Sequence, residues 1–140
     1  MPFNNLESRH FTAAEKNTIN GLLAQLETAF ANKTANLTPE ERKKYGSVNE
    51  QNKLIINKVK DFRDTQPALS SSDVDWVEFQ ADFDDRNFKQ ALLIRLATIT
   101  DGLTNSKILQ DFDNYQAALT HYDFAKYKAS ANAQKKKKKV

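Results

Sequence analysis

A chain of 140 residues with 39% hydrophobic side chains, 14 aromatic residues and no cysteine is the size of one domain with bulk enough for a core. The absence of cysteine excludes disulfide scaffolds and thiolate metal centres. The net charge of +3 is local: five lysines stand together at Lys135, Lys136, Lys137, Lys138 and Lys139, and without them 16 basic residues face 18 acidic ones. The basic pI of about 9.0 therefore describes a tail and not the surface of a folded body.

The first residues, MPFNNLESRHFTAAEK, lack the basic start and apolar run of a secretory leader, and no window approaches 18 consecutive apolar residues. The expected location is the cytoplasm. In that setting the glycosylation patterns at Asn32-Lys-Thr and Asn36-Leu-Thr read as chance matches.

In chain order, residues 1–11 read as an arm with Phe3, Leu6 and Phe11 as its apolar points. Thr12-Ala-Ala-Glu15 is a capping box, in which the hydroxyl takes an orphan amide and the carboxylate reaches back. Ile19, Leu22, Leu23, Leu26 and Phe30 follow on one helical face, so a first helix is expected over about 12–34. Thr38-Pro39-Glu40-Glu41 opens a second, with Pro at its first position, running to about residue 64 through Tyr45, Val48, Asn52, Ile55, Val59 and Phe62. Gly46 costs about 1 kcal/mol inside that pattern. It leaves open a break, with the helix proper starting at a second box, Ser47-Val-Asn-Glu50.

Gln66-Pro67 and Ser70-Ser-Ser72 punctuate the chain, because Pro67 turns its predecessor away from helix. A third helix is expected over about 73–101, capped through Ser72-Asp-Val-Asp75 and closed by Gly102. Thr104-Asn-Ser-Lys then starts a fourth, over about 105–129, with Ile108, Leu109, Phe112, Tyr115, Leu119 and Tyr122 as its seam. The reading is an all-α, antiparallel up-down-up-down four-helix bundle over residues 12–129, with a disordered or extended Lys-rich tail over 130–140. Its competitor is a longer helical hairpin that completes its core only by dimerising.

Two seams run along the third helix. Trp76, Phe79 and Phe83 lie on one, which meets polar Arg86 and Gln90 further on, and Phe88, Leu92, Ile99 and Leu103 form the other, with Leu96 nearby. Either the helix changes packing neighbours near Arg86, or its C-terminal half is buried on two sides, by its own bundle and by a partner; the apolar run over residues 92–99 favours the second.

Catalytic chemistry finds little support. Glu7-Ser-Arg-His10 has the Glu-x-x-His spacing of di-iron bundles but precedes the first helix, and His121 has alanines where its carboxylate partner would stand, so no metal and no cofactor are expected. Asp75, Glu78, Asp82 and Asp85 share one helix face, opposite the aromatic seam, and read as its solvated side. A small-molecule enzyme using Asp82, Asp85 and His121 is the remote reading. Three glycines, none in a Gly-rich loop, exclude phosphate cradles. Composition and pattern lead to no characterised family.

Binding is better supported. Phe88, Leu92, Leu96, Ile99, Tyr115, Tyr122, Phe124 and Tyr127 are interface candidates, since tyrosine buries a large ring while keeping a wet hydroxyl. The expected function is a non-enzymatic structural or interaction module that associates with itself or with another protein. Asn52, in an apolar register, is a candidate for fixing register or lining a polar pocket. The alternative is a salt-sensitive binder of RNA, DNA or anionic membrane. It would use Arg42, Lys43, Lys44, Lys53 and Lys60 of the second helix together with the lysine tract.

Overall fold

A computed structural model describes residues 5–48 and 50–138, without the side chains of Glu50 and of residues 136–138. Phe3, Asn49 and Lys139 lie outside the described residues. The fold is all-α: four α-helices and one 3-10 turn, with no strand among the described residues. The helices are α1 (Ala13–Phe30), α2 (Pro39–Tyr45), α3 (Glu50–Thr65) and α4 (Trp76–Lys138), with the 3-10 turn at Pro67–Leu69.

Both leading capping boxes form. Thr12 Oγ1 accepts the Glu15 amide at 3.1 Å while the Thr12 amide donates to Glu15 Oε1 at 3.1 Å, and Thr38 and Glu41 repeat the arrangement at 3.1 and 3.3 Å. α1 stops at Phe30, short of residue 34: Ala31 leaves the helical backbone at ψ 127°, and Asn32 follows with a left-handed backbone at φ 62°, in a turn closed by the Lys33 amide on the Phe30 carbonyl at 3.0 Å. Asn is among the few side chains that adopt this conformation readily.

Other boundaries differ from expectation as well. The single helix over 39–64 is two helices, broken after Tyr45. The Gly46 amide caps the Arg42 carbonyl at 2.8 Å, so tightly that a Cβ there would come within 2.5 Å of the Arg42 oxygen. The box expected at Ser47-Val-Asn-Glu50 rests on groups outside the described residues.

The third helix starts at Trp76, not near 73, because Asp75 itself is the cap: its Oδ1 accepts the Glu78 amide at 3.1 Å. And the third and fourth helices are one. Gly102 does not take a left-handed backbone, so α4 passes through it without a stop. A lone Gly costs a helix about 1 kcal/mol, which 63 continuous residues absorb. The helix also carries on through Lys138, where the sequence predicts an extended or disordered tail.

Internal contacts divide the chain into two units, Met1–His10 with Asp84–Val140, and Phe11–Phe83. No apolar side chain among the described residues is buried, so the expected core is not found within them. The two buried residues are polar, Glu7 and Asp113.

Candidate interaction surfaces

In the unit formed by residues 1–10 and 84–140, the arm lies on α4 through a polar clasp. Asp113, 7% exposed, accepts the Leu6 amide on both carboxylate oxygens at 3.0 Å and the Glu7 amide on Oδ2 at 3.0 Å. Two successive backbone donors aimed at one carboxylate hold the arm by its main chain. Glu7, 3% exposed, locks the side chains: Oε1 accepts Arg9 Nε at 2.8 Å, and Oε2 accepts Arg9 Nη2 at 2.9 Å and the Ser106 hydroxyl at 2.7 Å. The Arg9 guanidinium, then the Ser106 hydroxyl, hold the Glu7 carboxyl far below the usual carboxylate range, at about 2, against the opposing effect of burial. The Arg9 value rises in return.

Sequence reading misses this clasp, yet a signal for it is there. Continuing the line Phe88, Leu92, Leu96, Ile99 and Leu103 by helical spacing reaches Ser106, Gln110 and Asp113, a polar patch where apolar residues should follow. Glu7 of the Glu7-Ser-Arg-His10 spacing pairs with Arg9, and His10 is exposed.

The rest of α4 in this unit is apolar on two sides. At about 100° per residue, Ile94, Ala97, Ile108, Phe112, Tyr115, Leu119 and Tyr122 fall on one face, interrupted by Asp101 and Thr104 and opposite Ser106, Asp113 and the arm. The six large side chains of that face are between 39% and 63% exposed. On the other side Leu92 and Leu96 are half-buried, while Phe88, Ile99 and Leu103 are exposed. Phe124 and Tyr127 are exposed as well.

In the unit formed by residues 11–83, the end of α3 meets the start of α4 in an aromatic ladder. Trp76 and Phe79 meet edge to face at 5.3 Å, and Phe79 stacks with Phe83 at 6.5 Å. Two cations of α3 lie over the rings, Arg63 5.2 Å from Trp76 and Lys60 5.8 Å from Phe83. Arg63 also donates to Ser70 Oγ at 2.9 Å and to the Pro67 carbonyl at 3.3 Å, and Trp76 Nε1 donates to the Ser71 carbonyl at 2.8 Å. The link over residues 67–71 is thereby tied to both helices.

The cationic candidates fall in both units. Lys60 pairs with Asp64 as well as lying over Phe83, and Lys44 lies 5.3 Å from the Tyr45 ring. Arg42 and Lys43 share the last turn of α2 and are exposed, Lys53 is half-buried on α3, and Lys135 is exposed near the end of α4. Asn52 is exposed on α3. Asp82, Asp85 and His121 lie on α4, Asp82 and Asp85 near its start and His121 past its middle, and no group of three His, Cys, Asp or Glu that would hold a metal occurs among the described residues. No described helix is long and apolar enough to cross a membrane.

No protein-family model matches this chain, and neither a curated protein nor a solved structure is detectably similar to it.

Proposed function

We propose that this protein is a non-enzymatic interaction module that associates with itself through the apolar face of α4. One observation carries the reading: Ile108, Phe112, Tyr115, Leu119 and Tyr122 recur at helical spacing on one face, and every one of them is exposed. Single exposed apolar side chains are ordinary on a protein surface, but a contiguous stripe marks a surface that another macromolecule covers. The aromatic ladder of Trp76, Phe79 and Phe83 supports a structural role for the start of the same helix.

Mass in solution tests this. The unaltered chain should show a mass above one protomer that falls to 16.0 kDa in Tyr122→Glu. Phe124→Glu, on the opposite side of the helix, should leave the mass unchanged. A chain that is monomeric at every concentration would sink the proposal.

A further inference from the structure

We infer that the partner seated on this face is a second copy of the chain, and that the two α4 helices pair antiparallel about a two-fold axis near residue 106. This rests on the self-association reading above and gives it a geometry. Charge sets the direction. Residues 76–85 of α4 hold four acidic side chains, Glu78, Asp82, Asp84 and Asp85, and no basic one. Residues 124–138 hold six lysines and no acidic side chain, and between these ends four basic residues balance four acidic ones.

A parallel pair would set acid against acid at one end and twelve lysines together at the other. An antiparallel pair sets each acidic end against a basic one, and opposes the two helix dipoles. Electrostatic complementarity of this kind decides orientation more than affinity.

Setting residues 76–85 level with residues 127–136 puts the axis at residue 106, and apolar side chains of the face then meet across it at two levels. Ala97 of one copy lies level with Tyr115 of the other, and Ile94 within one residue of Leu119's level. The contact is isologous, so the same pairs recur on both sides of the axis. The arm does not obstruct it, since Ser106 and Asp113 bind the arm on the opposite side of α4.

The same charge gradient stabilises a lone helix through its dipole, and that is the competing explanation. Because the chain contains no cysteine, single introduced thiols make the distinction clean. In an antiparallel pair the two copies of residue 104 lie about 6 Å apart along the axis, while the two copies of residue 126 lie roughly 60 Å apart. With a short bis-maleimide the Thr104→Cys chain should therefore form a covalent dimer, and the Lys126→Cys chain should not. A mixture of Lys126→Cys with Arg86→Cys, which share the apolar side of the helix and lie level across the axis, should give the cross-linked heterodimer.

A chain that associates but links Lys126→Cys to itself, or leaves Thr104→Cys unlinked, overturns the antiparallel geometry and leaves self-association standing. An unaltered chain that stays monomeric overturns both, and assigns the charge gradient to the helix dipole.

Discussion

Asp113 is the residue on which the arm depends. It satisfies two consecutive backbone amides, and removing it leaves the Glu7 amide without a partner where water has little access. An unmet buried donor costs about 1–3 kcal/mol, enough to raise the population of the released arm about tenfold or more. Asp113→Ala should therefore speed tryptic cleavage after Arg9 by about that factor, while α4 keeps its helicity. Unchanged cleavage would show that the clasp does not hold the arm.

Glu7 adds a dependence on acidity with a definite sign. Released, it titrates near the ordinary value of 4.5; clasped, near 2. Between those values the released arm binds the proton and the clasped arm does not, so protonation favours release. The contribution is fully present above about pH 4.5 and is lost as the pH falls towards about 2. Amide exchange at Leu6 and Glu7, compared at matched intrinsic rates, should rise across that window in the unaltered chain and show a smaller change in Glu7→Gln.

At the scale of elements, the two glycines near expected helix ends behave oppositely, and backbone geometry separates them. Gly46 stands against the Arg42 carbonyl and ends a helix; a Cβ placed on Gly102 would meet nothing within 4 Å, and that glycine ends nothing. Gly102→Ala should accordingly stabilise the chain by about 1 kcal/mol, a rise in melting temperature of roughly 4 °C. A drop instead would mean that the helix stops there after all.

The helix starts at Thr12 and Thr38 are legible in the sequence because a capping box is local: cap and third residue satisfy each other without help from the rest of the fold. The stops are less legible. Ser106, which reads as part of a new helix start, spends its hydroxyl on Glu7, 99 residues away in sequence. No local rule anticipates a partner at that separation. Helical spacing does reveal the face through Tyr115 and Tyr122, but joining it to Ile94 and Ala97 requires α4 to be continuous.

For the whole molecule, the balance of apolar and polar surface is the dominant fact. A chain with 39% hydrophobic residues buries none of them among the described residues, although the hydrophobic effect is the main force that folds proteins. The proposed assembly would resolve this, since a partner that binds only the helical form stabilises it by mass action. The direct measurement is thermal unfolding of the unaltered chain, followed by circular dichroism over a hundredfold range of protein concentration. Coupled folding and association predicts a gain of up to about 2.7 kcal/mol over that range, a rise in melting temperature of roughly 10 °C. A midpoint that stays the same at every concentration would contradict it.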